Sequence, residues 1–288
     1  MSTRVVRTIE ACRGALAPVR RAGEKIGFVP TMGWLHEGHL SLVEGAREAA
    51  DRVVVSIFVN PIQFDSTDDL DAYPRDLDRD VALASERGAD LVFAPSVEEM
   101  YPAPPKTTVT MSDLTERYEG AARPGHFDGV LTVVTKLFHI VEPDLAVFGR
   151  KDAQQAAVVR RLIDDLDFDV ELLVAPTVRE PDGLAASSRN VRLSEDERRR
   201  AAAIPRALFE SESAFEGGQR DATEITASVR EALEAAGGID VEYAAVVDPD
   251  RFVPIETIDR PCLAVVAARV GEVRLIDNVP LDPTGGSP

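Results

Sequence analysis

His36 and His39 are two of only four histidines in the 288-residue chain, and Glu37 and Gly38 alone separate them. They follow the apolar run Phe28-Val29-Pro30-Thr31-Met32-Gly33-Trp34-Leu35, and from His39 onward Leu40, Leu42, Val43, Ala46, Ala49 and Ala50 recur at helical spacing. The pattern predicts a strand, a loop and a helix opened by the second histidine. Such a loop gathers unpaired backbone N–H groups and the positive end of the helix dipole, a combination that favours an anion such as a triphosphate. Two imidazoles placed there can hydrogen-bond phosphate oxygens as charge develops on them. Solvated loop histidines are the simpler alternative.

Other residues invite the same question. Asn60 and Gln63, in Asn60-Pro61-Ile62-Gln63-Phe64, follow the apolar run Val53–Val59. The carboxyl end of a core strand is where open α/β sheets bind ligands, although a polar turn accounts for the same residues. Within the acidic stretch Asp65–Asp80, Asp80 reads either as a charge on a solvated helix face or as a magnesium ligand. That hard cation takes carboxylate and phosphate oxygens together. Lys151 lies just beyond Leu145–Gly149, where its ammonium can reach a phosphate as a mobile point charge or simply be solvated. Ser187-Ser188-Arg189 places two hydroxyls before a guanidinium capable of bidentate contacts, or is an ordinary serine-containing loop. His126 precedes a helix and either touches an anion or is structural, whereas His139 reads as a packing residue inside that helix.

Positioning these groups requires a scaffold. Thr8–Ala17 reads as a helix capped by Thr8 and interrupted by Pro18. Strands are expected at Ile26–Pro30, Val53–Val59, Asp90–Ala94, Leu145–Gly149 and Val170–Ala175, with a short extended piece at Thr107–Met111. Helices are expected at Leu77–Arg87, Val130–Val141 and Gln154–Asp165. Alternating strands and helices predict an α/β fold with a doubly wound, Rossmann-like parallel sheet. From Ser194 the texture changes to helices, Glu195–Phe215 (kinked or split at Pro205) and Ala222–Ala236, then to strands at Val241–Val247, Cys262–Arg269 and Val273–Asp277. This predicts a second, smaller α+β domain. The boundary falls near Glu180, giving domains 1–180 and 181–288, with a disordered tail from Asp282.

Composition narrows the class. With 44% hydrophobic and 28% charged residues, the chain can bury a sizeable core and is not broadly disordered. No apolar run approaches the roughly 18–20 residues that cross a bilayer, and Met1–Arg21 lacks the apolar core of a signal peptide, so a cytoplasmic protein is expected. Cys12 and Cys262 are the only cysteines; far apart in sequence, they suggest buried thiols and neither a disulfide framework nor a zinc site. A net charge of −18 argues against sequence-independent nucleic-acid binding, which depends on neutralising phosphates with Lys and Arg.

The histidine stretch resembles the HxGH signature of adenylyl-transferring α/β enzymes, and the longer string from Pro30 to His39 is similar to that of the pantothenate synthetase (pantoate:β-alanine ligase) family. Ser56–Phe64, Asp71–Arg75, Arg123–Phe127, Gly149 with Lys151-Asp152 and Gln154-Gln155, and Asp182–Leu184 with Ser187–Asn190 resemble that family in the same order. The resemblance implies ATP, Mg²⁺ and two half-reactions: pantoate attacks the α-phosphate to give pantoyl adenylate and pyrophosphate, then β-alanine attacks the acyl carbon and releases AMP. It also implies that His36, His39, Lys151, Ser187, Ser188 and Arg189 handle phosphates, with His39 in the proton-donor position. Met32 and Val178 fall at the nucleotide and Gln63 and Gln155 at the acid. Beside this carry-over, Gly33, Gly149 and Asp152 are candidates at the nucleotide, Asn60 and Tyr73 at the acid, and Asp80 at the metal. A homodimer is implied as well. Trp34, Arg150, Ala153 and Ala186 depart from the family's usual alanine, glutamate, aromatic residue and methionine. Because these lie within or beside the matching motifs, a paralogue that activates another small acid or uses another amine is the alternative, and a nucleotide-binding module without turnover is a third.

Overall fold

The computed structural model describes residues 3–65 and 67–284. The chain forms two compact units, one of residues 1–149 with 158–175 and the other of 150–157 with 176–288.

The first unit is built on a six-stranded sheet of β1 (Arg4–Val6), β2 (Ile26–Thr31), β3 (Arg52–Ile57), β4 (Leu91–Phe93), β5 (Leu145–Gly149) and β6 (Glu171–Ala175), in the order β1-β4-β3-β2-β5-β6. Every neighbouring pair is parallel. Val53, Val54 and Val55 of β3 and Phe28 and Val29 of β2 are fully buried, which is why these strands read as unbroken apolar runs. From β2 the chain winds outward through β3 and β4, then returns to place β5 on the other side of β2. The strand order therefore reverses between β2 and β5, and the carboxyl ends of strands at such a reversal form the usual ligand crevice of open α/β sheets.

The second unit carries an antiparallel sheet of β7 (Ile239–Val247), β8 (Cys262–Val270) and β9 (Val273–Leu281) in sequential order. Its core joins Ile204 and Leu208 from the helix Ala203–Glu216, Val229 and Leu233 from Ala222–Ala236, and Val266 and Val270 from β8.

Several boundaries differ from the sequence expectation for identifiable reasons. The first helix runs Ile9–Arg21, through Pro18 rather than ending before it; Thr8 caps it by accepting from the Ala11 N–H. The long helix expected around Pro205 is two, Glu195–Ala201 and Ala203–Glu216. Pro205 has no N–H for the Ala201 carbonyl, so the break falls one turn earlier and the proline sits in the first turn of the second helix. β1 escapes sequence reading because it is a three-residue edge strand with two exposed residues. Thr107–Met111 joins no sheet; the Val109 N–H donates to Thr132 Oγ1 (3.0 Å). Of the tail expected to be disordered, Asp282–Thr284 forms a turn closed on the Asp282 carboxylate, and residues 285–288 lie outside the described residues. Cys12 and Cys262 are buried free thiols, pushed up to about 11 and about 12 by burial, so both stay protonated and unreactive. No helix among the described residues is long and apolar enough to cross a membrane.

Candidate active site

The histidine loop leaves the carboxyl end of β2, one of the two strands at the sheet's reversal. The helix begins at Glu37, slightly earlier than expected, with His36 as its N-cap and His39 in its first turn. His36 Nδ1 accepts from the Gly38 N–H (3.2 Å), which leaves the imidazole proton on Nε2. The two imidazole centroids are 4.1 Å apart. A pair of rings at a helix N-terminus, one with its tautomer fixed by capping, is well suited to anionic oxygens.

Two features force the chain around this corner. Gly33 has φ +86°, and a Cβ there would lie 2.9 Å from Asp80 Oδ2 and 3.0 Å from Ile57 Cγ2, so both the turn and the close approach exclude a side chain. Trp34 follows at φ +51°, a strained value for an aromatic residue. Asp80 holds that strain in place: its Oδ2 accepts from the Trp34 N–H and its Oδ1 from the Leu35 N–H, both at 2.7 Å. Arg79 pairs with Asp80 (3.2 Å) and lies over the Trp34 indole, 4.9 Å from the ring centroid. Asp80 is 1% exposed; burial raises its pKa, opposed by the two amides and Arg79. The carboxylate expected from the sequence to hold magnesium thus turns both oxygens to the loop backbone. Among the described residues no group of three or more His, Cys, Asp or Glu is placed to hold a metal.

Gln63 and Asn60 follow β3. Gln63 accepts from Asn60 Nδ2 (2.8 Å), and its own Nε2 reaches Met32 Sδ (3.2 Å). Asn60, 1% exposed, also donates to the Gly129 carbonyl (3.1 Å) and accepts from the Tyr101 hydroxyl (2.9 Å). It orients Gln63 rather than presenting a polar face of its own. Tyr73 donates to the Gly33 carbonyl (3.4 Å) and packs edge-on against Phe64. A cavity of about 350 Å³ adjoins Met32 and Gly33, and its wall carries Asp71, Asp76 and Asp80 together with Arg7 and Arg75.

His126 resolves the choice left open by the sequence. It begins the helix His126–Val141, with Nε2 3.0 Å from Arg123 Nη1 and Nδ1 2.8 Å from the Gln63 carbonyl. Arginine can only donate, so Nε2 accepts and the Nδ1 proton goes to Gln63. Burial and the neighbouring Arg123 lower its pKa from 6.5 to about 4. The ring is neutral, and it fixes the Gln63 backbone. Gly129 completes that fit, since a Cβ there would lie 2.5 Å from the Ile62 carbonyl and 2.6 Å from Gln63 Cα. The sequence reading did not single out Gly129; its place in the first turn of a helix beside a candidate ligand loop was the signal that could have found it.

In the second unit, Lys151 and Asp152 lie in a 3-10 turn, Arg150–Asp152, just beyond β5, with Lys151 Nζ 3.7 Å from Asp152 Oδ1. Gln155 is half-buried on the helix Ala153–Asp165. Residues 178–186 form a tight hairpin: Glu180 N–H to Leu184 O, Gly183 N–H to Glu180 O, and Ala186 N–H to Val178 O (2.8–2.9 Å). Gly183, at φ +88°, supplies the reversal that Pro181-Asp182-Gly183 announces. The hairpin delivers Ser187, Ser188 and Arg189; Ser187 Oγ accepts from the Arg189 N–H (3.2 Å). Asn190, donating to Glu180 (2.6 Å) and to the Ala185 carbonyl (3.0 Å), ties the far side.

Comparison with known proteins places this arrangement. Residues 4–280 match the family profile described as pantoate-beta-alanine ligase. The pantothenate synthetase of Thermoanaerobacter sp. strain X514 is 51% identical over 271 residues, 94% of this chain and 96% of that one. The crystal structure of pantothenate synthetase from Thermus thermophilus matches with a TM-score of 0.92 at 48% identity, covering 98% of this chain and 100% of that one. Pantoate-beta-alanine ligase from Francisella tularensis, complexed with beta-gamma ATP and beta-alanine, matches with a TM-score of 0.79 at 32% identity over 96% and 97% of the two chains. Agreement over nearly the whole length, in sequence and in fold alike, leaves one conclusion: this chain belongs to the pantoate-beta-alanine ligase family.

Proposed function

We propose that the chain catalyses ATP-dependent condensation of pantoate with β-alanine through a pantoyl adenylate. A pantoate carboxylate oxygen attacks the α-phosphorus of ATP; the bond from that phosphorus to the bridging oxygen breaks, and pyrophosphate leaves with the electron pair. The β-alanine amine then attacks the acyl carbon, the bond to the AMP oxygen breaks, and the amine gives up a proton to yield the amide. Neither step needs a protein nucleophile. The demands on the protein are to orient two reactants and to neutralise charge moving onto the leaving phosphates.

The observation that carries this reading is the imidazole pair at the helix N-terminus beyond β2, with His36 holding its proton on Nε2. His36 and His39 donate to phosphate oxygens, with His39 the proton donor to the leaving pyrophosphate. Met32, Gly33, Gly149, Asp152 and Val178 border the nucleotide, and Lys151, Ser187, Ser188 and Arg189 add cation and hydroxyl contacts to the phosphates. Gln63 and Gln155 hold pantoate, Tyr73 borders it, and Asn60 acts by orienting Gln63. On this reading residues 1–180 carry most nucleotide and acid contacts, and 181–288 supply the Ser-Ser-Arg set. Magnesium is expected to arrive with the triphosphate, whose charge it partly neutralises; Asp80 is assigned to the loop and not to the ion. A cytoplasmic homodimer completes the proposal.

The test is pyrophosphate release from ATP and pantoate alone, followed by AMP and amide formation on adding β-alanine. Release only with a different acid would shift the assignment to a paralogous ligase. No release with any small acid would remove the enzymatic reading.

A further inference from the structure

The proposed phosphate residues of the second unit all sit on short turns, and a short turn holds a side chain only as well as its own backbone is held. The partners that hold these turns lie far away in sequence, on β9. Asn278 is 3% exposed and uses both amide hydrogens on consecutive main-chain carbonyls, Arg150 O at 2.9 Å and Lys151 O at 3.1 Å. Its neighbour Asp277, 4% exposed, takes the Arg179 guanidinium in a bidentate pair at 2.7 and 3.1 Å. Arg179 in turn donates to the Gly183 carbonyl (3.0 Å) and the Asn278 carbonyl (3.2 Å). One dipeptide therefore pins both the turn bearing Lys151 and the hairpin that delivers Ser187, Ser188 and Arg189.

We propose that Asn278 is a positioning residue for adenylate formation, acting through Lys151 by fixing the carbonyls on either side of that residue's Cα. The inference rests on the reading of Lys151 as a phosphate ligand. Its chemical basis is specific: a side-chain amide offers two hydrogens in a fixed plane, and two carbonyls one residue apart consume both. Bonds within a buried network also resist displacement more than exposed ones. Asp277 plays the parallel part for the hairpin, but as half of a buried ion pair its removal would leave Arg179 uncompensated and obscure the readout.

The experiment is a double-mutant cycle on pyrophosphate release, using Asn278→Leu, Lys151→Ala and the combination. Leucine is close to asparagine in shape and removes the amide. We expect Asn278→Leu to lower the adenylation rate by about 10- to 100-fold, the scale of loss for a reacting group displaced by an ångström. In the Lys151→Ala background the same substitution should cost less than about threefold, because residues acting as a unit are not additive. Amide formation from supplied pantoyl adenylate and β-alanine should be unchanged in Asn278→Leu, which a general loss of structure would not allow. Multiplying losses, or a rate within about twofold of the parent chain, would overturn the proposal. Should Asn278→Leu fail to fold, Asn278→Ser, which keeps one donor, is expected to give a smaller loss with the same dependence on Lys151; an additive loss there overturns it equally. A parent chain that releases no pyrophosphate with pantoate would instead strike at the proposed function, an outcome distinct from an active parent with an additive cycle.

Discussion

In the first unit, the histidine loop is held by partners 46 and 45 residues away, the two oxygens of Asp80, and by its own cap on Gly38. In the second, the Lys151 turn is held by Asn278, 127 residues away, and the Arg179 hairpin by Asp277, 98 residues away. The near anchor is a carboxylate at the start of a helix receiving backbone N–H groups; the far anchor is a strand dipeptide that donates an amide to carbonyls and accepts a guanidinium. Each segment is thus held through whichever half of its backbone hydrogen-bonding capacity is left unpaired. The loop entering a long helix has spare donors and needs an acceptor, while the turn bearing Lys151 presents carbonyls and needs a donor.

Substitutions in and around the near anchor probe this contrast. The largest effect is expected from His39→Ala, which should reduce pyrophosphate release by about 10²–10⁴-fold, the usual range for a positioned proton donor; a near-normal rate would remove His39 from the chemistry. Asp80→Ala should cost roughly 2–4 kcal/mol in denaturant unfolding, because it orphans the buried Leu35 amide and the partly buried Trp34 amide, and should lower kcat as the corner at Trp34 relaxes. If stability falls but kcat holds, the near anchor serves the fold alone.

Stability should also depend on pH through His126. Its folded pKa, about 4, lies below the ordinary 6.5, so between those values the unfolded chain binds more protons. Stability is then fully present above about pH 6.5 and falls toward pH 4, by about 3 kcal/mol in all; His126→Gln should flatten that part of the profile measured by thermal melts. Gly129→Ala should destabilise by about 1–3 kcal/mol through overpacking against the Ile62–Gln63 backbone, and raise KM for pantoate more than KM for ATP. The smallest effect belongs to Arg79→Ala, about 1 kcal/mol from the lost stacking on Trp34 and the lost half-exposed ion pair with Asp80, with little change in turnover.

Part of each candidate region was legible in advance, and the particulars show why. His36 and His39 announced themselves because a strand, a loop and a helix entry are consecutive in sequence, so neighbours along the chain become neighbours at the site. Lys151 after Gly149 and the Ser-Ser-Arg run stood out only through the family resemblance, since alone each also reads as a solvated lysine or an ordinary loop. The backbone and side-chain partners of Asn60 and Asp80 were not readable in advance, because a polar residue at a strand end or on a helix looks identical in sequence whether it faces a ligand or a backbone amide. Asp277 and Asn278 were passed over altogether, since β9 read as a strand ending near Asp277 and nothing local distinguishes an anchoring dipeptide from an ordinary strand end.

Periodicity, side-chain chemistry and short-range spacing were enough to establish the alternation of strands and helices, the buried character of β2, β3 and β5, and the two cysteines as core thiols. Contacts formed on folding settled the rest: His126 is a neutral brace for Gln63, Asp80 clamps a strained corner, and Asn278 holds the Lys151 turn. Those roles depend on which donor meets which acceptor across tens of residues, and chain order does not encode that until the strands are in register.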